Sequence, residues 1–376
     1  MGIANSLKEF SFVGIGRIVT VTLQALFYLF FAALLDPSTY GELNLILALA
    51  GTFSIMSLFG LHLSLQVYRV KNITLISDQI ITLFLISTSA AAIILLAFDP
   101  VSAVLCVGMS FFAMTQGHLL GLKKYKKFML YSVIKSGTFF IIPIALYFIF
   151  EIPGIVFGMA ISNFLGGIPI FRELKIKSLS GLKNYSRVII HNFGLASGAL
   201  LPSLLDKLLI VPLYGFLIVG IYQFNFQVFV ALGVLPGVLY GYLLSEEASG
   251  IGHRILSSLA IIASIILVII VFFLAPILVP IFYPKYVDGI ESLQVIAIAI
   301  IPQTVGAIYG SKLLAKESTK IGYSAIVQIG SLLPLIALLG DLYGLVGLAL
   351  AVLISQAANT LFLYLLYRTS LQAKTV

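Results

Sequence analysis

Three cations and one carboxylate stand inside stretches that are otherwise apolar enough to lie in hydrocarbon: Arg17, Lys135, Lys207 and Asp206. A charge at that depth is costly, so each must face protein, water or a ligand of opposite sign. A cavity with several cations and few anions attracts phosphate or pyrophosphate. Arg17 shares a helical face with Gly14, Thr20, Gln24 and Tyr28, whose spacing keeps them within about 60° of one line. It lies roughly 10 Å from the start of its apolar run. Lys135 has Tyr131 and Thr138 on its own face. Asp206 and Lys207 follow Pro202, which bends their helix. Sequence neighbours point about 100° apart, so this pair is not expected to share one direction. Asp206 is the candidate for coupling to a proton or ion gradient. Asn225, Gln227 and Gln303 carry carboxamides that suit either sugar hydroxyls or helix-to-helix hydrogen bonds. For the cations the alternative is snorkelling, with the charged head extended to the membrane surface.

Other chemistries find little to work with. His62, His118, His191 and His253 have no ligand spacing, so no metal is expected. The single Cys106 forms no intrachain disulfide. No paired carboxylates or His–Asp arrangement stands in a loop, so neither an enzyme nor a bound cofactor is expected. The basic cluster from Lys123 to Lys127 reads as a topology signal or a lipid-facing patch.

The elements that must position these residues are membrane helices. Hydrophobic residues make up 60% of the 376 and charged residues 10%, and mean hydropathy is +1.13. A soluble fold must cover itself with polar groups, and this chain cannot. Twelve apolar runs are long enough to span about 30 Å of hydrocarbon: 10–35, 41–68, 75–98, 101–122, 128–150, 153–171, 188–213, 216–244, 255–282, 290–314, 321–339 and 343–367. With the N-terminus and even-numbered loops placed inside, eighteen of the 22 Lys and Arg fall inside and one, Lys285, outside. That split puts both termini in the cytoplasm. The net charge of +8 therefore reports topology, not nucleic acid. The longest polar stretch, Arg172 to Arg187, lies mid-chain with six runs on each side. The expected organisation is two six-helix lobes, 1–178 and 179–376, related as parallel repeats. Faint similarity between TYGELNLIL at Thr39 and VGIYQFNFQ at Val219 fits that repeat.

The first hairpin carries a family resemblance. A basic residue early in the first helix, then the apolar-acidic turn closing on Tyr40-Gly41, the pair Gly60-Leu61 and the basic Arg69, resembles the start of polysaccharide-biosynthesis flippases, the O-antigen type included. These belong to the multidrug/oligosaccharidyl-lipid/polysaccharide exporter superfamily. The segment from Leu204, with Asp206 and Gly220-Ile221-Tyr222, is similar to that family's seventh and eighth helices. The resemblance implies an all-α, V-shaped, two-lobed transporter in the cytoplasmic membrane. Its cargo would be a polyprenyl-(pyro)phosphate-linked oligosaccharide, moved outward by alternating access. Arg17 and Lys135 would meet the phosphates and Lys207 the outward-facing stage, with Gln24, Tyr28, Asn225 and Gln303 completing the substrate contacts. Membrane lipids, and glycosyltransferases or a polymerase of the same pathway, would be its partners. Two other readings stand beside this one. An organic-cation exporter of the same superfamily would favour buried carboxylates over cations, and a polysaccharide polymerase would need larger outer loops.

Overall fold

The computed structural model describes residues 3–234, 236–237, 254–315 and 319–372. The end of the eighth expected run, 238–244, lies outside them. The described chain is helical: α1 Ile3–Leu34, α2 Pro37–Leu58, α3 Leu61–Val70, α4 Thr74–Leu96, α5 Pro100–Gly121, α6 Tyr125–Phe171, α7 Ser186–Leu200, α8 Pro202–Leu232, α9 Arg254–Phe282, α10 Ile290–Ile298, α11 Ile300–Ala315 and α12 Tyr323–Gln372, with short 3-10 turns at Leu182–Tyr185, Pro284–Gly289 and Thr319–Gly322. Among the described residues, eight stretches are long and apolar enough to cross a membrane. Their outward surfaces are apolar too: Phe98, Phe148 and Phe273 are each at least two-thirds exposed. A surface of that kind suits lipid and not water.

Local chemistry explains the breaks between helices. The tight turn before α5 is a capped start, with Asp99 accepting from the backbone N–H of Val101 and Ser102 at 3.1 Å each and Pro100 in the first helical position. The second expected run, 41–68, is in fact two helices. Phe59 (φ 44°) and Gly60 (φ 70°) are both left-handed and separate α2 from α3. Gly60 sits against the chain at Asn192 and Phe193, where an added Cβ would lie 2.3 Å from the Phe193 nitrogen. The seventh run is interrupted as Pro202 requires, since α7 ends at Leu200 and α8 begins on the proline.

Three long helices double back. In α6, Glu151 adopts φ 52°, ψ −136°, and a Cβ on Gly158 would lie 2.5 Å from the Cα of Pro143. Fifteen residues of straight helix would separate those positions by about 22 Å. In α12 the reversal is at Gly344 (φ 57°, ψ −133°), just beyond the expected 340–342 turn. In α8 it is at Gly215 (φ 81°, ψ 176°), and Tyr222 reaches Asp206 across it at 2.8 Å.

The chain forms two compact units, residues 1–28 with 45–204 and residues 29–44 with 205–376. In the first, Leu61, Leu65, Ile80, Ile81, Phe84 and Met114 are fully buried at the centre of the core. The stretch after α6 is part of this unit. Thr82 donates to the Lys175 carbonyl and accepts from the Lys177 N–H, both at 3.0 Å, while Leu182 joins the core.

Candidate functional site

In the first unit the polar stripe of α1 lies along the 125–150 arm of α6. Ser136 donates to the Thr20 hydroxyl at 2.9 Å, and Thr20 donates to the Gly16 carbonyl at 2.8 Å. A Cβ on Gly16 would lie 3.3 Å from the Met129 Cα, so the two helices approach closely. Higher up, the Phe27 and Phe139 rings are 4.7 Å apart. Gln24 and Tyr28, one turn apart on the same stripe, are joined by a side-chain hydrogen bond. Arg17 belongs to this stripe by its backbone, and its side chain lies outside the described residues.

Lys135 is 7% exposed. Its ammonium stands 4.0 Å from the centre of the Phe139 ring and 5.5 Å from that of Phe112. Gly166 makes the fit possible, because a Cβ there would lie 2.6 Å from the Phe112 ring and 2.8 Å from the Lys135 Cβ. Among the described residues no carboxylate is within 4.0 Å of this ammonium. Ring faces stabilise a desolvated cation by about 2 kcal/mol, which offsets only part of the cost of burying it. Nearby, the buried Ser132 hydroxyl has no partner among the described residues. Lys135 therefore does not snorkel. One turn on, the Thr138 hydroxyl donates back to the carbonyls of Ile134 and Lys135.

The second unit corrects the expectation for Asp206 and Lys207. They do share one direction: the Lys207 ammonium lies 2.9 Å and 3.2 Å from the two Asp206 carboxylate oxygens. The backbone sends adjacent residues apart, but the four-carbon lysine stem folds back along the helix. Tyr222 donates to Oδ2 at 2.8 Å and the Lys207 backbone N–H donates to Oδ1 at 2.7 Å. The Phe226 ring closes over the ammonium at 4.6 Å. Asp206 is 0% and Lys207 4% exposed, so the charges cancel inside the fold.

Asn225 uses its amide to hold the start of α10, donating to the Gly289 carbonyl at 3.0 Å and the Ser292 hydroxyl at 2.6 Å. Its own carbonyl oxygen is buried with no partner among the described residues, as is that of Gln303 on α11. Gln24, Tyr28 and Lys135 thus belong to the first unit, and Asp206, Lys207, Asn225 and Gln303 to the second.

One charged cluster was missed in the sequence. Arg69, read there as the basic residue that closes the first hairpin, lies 3.2 Å from Glu173 and 3.7 Å from Asp78, and His118 approaches Glu173 at 4.0 Å. Its signal is Glu173, a carboxylate in an otherwise basic inside segment. The cluster ties the ends of α3, α4, α5 and α6 together.

No protein-family model matches the chain, and no curated protein matches it by sequence. Solved structures of similar fold do exist, and they are transporters of the MOP superfamily. An inward-facing multidrug resistance MATE family transporter gives a TM-score of 0.73 at 14% identity, over 97% of this chain and 98% of its own. The lipid II flippase MurJ in an inward closed conformation gives 0.75 at 15% identity, over 95% and 87%. A MOP superfamily transporter from Pyrococcus furiosus, described by a binding pocket of reversed polarity, gives 0.58 at 15% identity, over 98% and 96%.

Proposed function

We propose that this protein is a flippase that carries a polyprenyl-(pyro)phosphate-linked oligosaccharide across the cytoplasmic membrane by alternating access. The observation that carries this reading is the Lys135 ammonium, buried against two phenyl rings with no carboxylate beside it among the described residues. Such a group calls for an anion, and a phosphate at the head of a lipid supplies one. Arg17, on the α1 stripe that packs beside Lys135's neighbour Ser136, joins it in holding the phosphate. Gln24 and Tyr28 extend the same surface. In the second unit, Asn225 and Gln303 each keep a buried carbonyl oxygen with no partner among the described residues. The lipid tail stays in the bilayer.

Each reversal at Glu151, Gly215 and Gly344 turns one long helix into two passes, so the chain crosses twelve times, with both termini cytoplasmic and functional halves at 1–178 and 179–376. Coupling through Asp206 then requires that Lys207 withdraw when a proton or metal cation takes the carboxylate. An exporter of organic cations would need an uncompensated buried carboxylate. Asp206, the one buried carboxylate among the described residues, is already neutralised by Lys207. That supports a lipid-linked anionic cargo over a multidrug role.

Complementation of a flippase-deficient strain, normalised to the amount of protein in the membrane, tests the reading. Growth is expected with the parent chain and not with Lys135→Met. Complementation by Lys135→Met at normal abundance would remove the basis for this assignment.

A further inference from the structure

A groove of about 600 Å³ lies on the surface of the second unit, between the first arms of α8 and α12. One wall is a single face of α12. Pro334, Ala337, Leu338, Asp341 and Leu342 follow one another at steps of three and one, which keeps them on one helical stripe. The other wall is Leu213 and Tyr214 at the end of the α8 arm. The Tyr214 hydroxyl rests on the α12 backbone, where a Cβ on Gly340 would lie 2.6 Å from it. It donates to the carbonyls of Ile336 and Ala337 at 3.2 and 3.0 Å, so its proton is taken.

The stripe changes character along its length. Pro334, Ala337 and Leu338 are exposed and apolar. Seven residues beyond Pro334, roughly 10 Å up the helix, stands Asp341, the one charged group that lines the groove. Asp341 is in the last turn of its arm, three residues before the reversal at Gly344. Carbonyls at a helix end already carry partial negative charge, so this end favours a cation and disfavours a carboxylate. Among the described residues, no Lys, Arg or His nitrogen is within 4.0 Å of it. Tyr343, exposed beside it, suits the level of lipid headgroups.

We propose that this groove holds a membrane lipid whose headgroup bears a primary ammonium, with that ammonium on Asp341 and an acyl chain along Leu338 and Pro334. An apolar slot ending in one anion has the polarity of such a molecule. An anionic headgroup would be repelled by Asp341, and a soluble cation would gain nothing from the apolar stripe. A primary ammonium can also donate charge-assisted hydrogen bonds to the carboxylate, which a quaternary one cannot. Placing the lipid in the outer leaflet rests on the topology proposed above; the groove and its charge do not.

Binding is read by native mass spectrometry of the purified full chain, titrated with dioleoyl phosphatidylethanolamine or dioleoyl phosphatidylcholine. The ethanolamine lipid should bind two- to fivefold more tightly, the scale of an exposed ion pair. Asp341→Asn should abolish that preference, and the exposed position leaves the fold intact. Ala337→Phe, which sets a ring in the groove, should weaken both lipids about tenfold, the scale of an overpacked contact. If it does not accumulate, Asp341→Asn alone decides. Equal affinity of the two lipids for the parent, or an unchanged preference in Asp341→Asn, overturns the proposal. Free ethanolamine that competes as well as the lipid would overturn it too, by reducing the groove to a cation site. So would a dimer that Ala337→Phe dissociates while the lipid preference stays, since a second copy would then fill the groove. The assay needs no transport, so its failure and that of the flippase reading are read separately.

Discussion

The Asp206 carboxylate and the Lys207 ammonium meet at 2.9 Å although the two residues are adjacent on one helix. Both are buried and Tyr222 completes the carboxylate's shell. Removing one partner leaves a buried charge uncompensated, which costs about 3–5 kcal/mol. Asp206→Asn and Lys207→Met are each expected to lower the amount of folded protein in the membrane and its melting temperature in detergent. The double variant should recover most of the loss. If each single variant is as stable as the parent, the pair does not hold the second unit together.

The same pair bears on coupling. Where Asp206 takes up the driving ion, the double variant Asp206→Asn/Lys207→Met should fold and yet lose gradient dependence. Transport measured with and without an imposed proton or sodium gradient decides this. A double variant that still responds to the gradient confines Asp206 to a structural role.

At Lys135 the expectation concerns charge and not stability. Lys135→Met relieves a desolvated cation, so the folded amount should hold or rise while substrate affinity falls. A charge-assisted contact is worth about 1.5–3 kcal/mol, or roughly ten- to a hundredfold in affinity. Arg17→Ala should lose similarly, and Arg17→Lys should keep part of the activity because it retains charge without the bidentate fork. Binding of a polyprenyl pyrophosphate to purified protein measures both. Unchanged affinity in Lys135→Met would contradict its assigned role.

How much of this was legible beforehand differs from residue to residue. The apolar runs marked the helices, because hydrocarbon demands about twenty apolar residues whatever their order. The stops at Asp99-Pro100 and Pro202 were legible because capping and ring geometry are local. The break at Phe59-Gly60 was not, since the close approach to Asn192 and Phe193 that favours it comes from a distant segment. Helical spacing put Thr20 on the polar stripe of α1, and the helix that stripe meets, α6, shows only in the fold. It failed for Asp206 and Lys207, because spacing describes where Cβ atoms leave the helix and not where a long stem ends. The Arg69–Glu173 contact joins residues 104 positions apart, and no local pattern announces such a pair.

That contact anchors the stretch after α6 to the ends of α3 and α4. Glu173→Gln should weaken it and loosen the backbone at Lys175 and Lys177, whose side chains are exposed but whose main-chain groups are held by the Thr82 hydroxyl. Limited trypsin digestion of inverted membranes is expected to cut there several-fold faster than in the parent, on the scale of a partly exposed ion pair. Equal digestion rates would show that Thr82 and Leu182 suffice to hold the stretch.

Twelve crossings make a further prediction at exposed positions. Single cysteines replacing Ser38 and Asp341 should label from outside, and those replacing Lys124 and Ser180 only from inside. All four positions are exposed, so the substitutions should leave the fold intact. Outside labelling at Lys124 would overturn the proposed count.

The cargo itself is tested most directly in proteoliposomes. Purified protein is reconstituted with a fluorescent short-chain polyprenyl-pyrophosphate disaccharide, and its arrival in the opposite leaflet is followed by impermeant quenching. A fluorescent organic cation is followed in parallel. The account predicts protein-dependent movement of the lipid-linked sugar, lost in Lys135→Met, and no movement of the cation. Transport of the cation with the lipid-linked sugar left in place would contradict it.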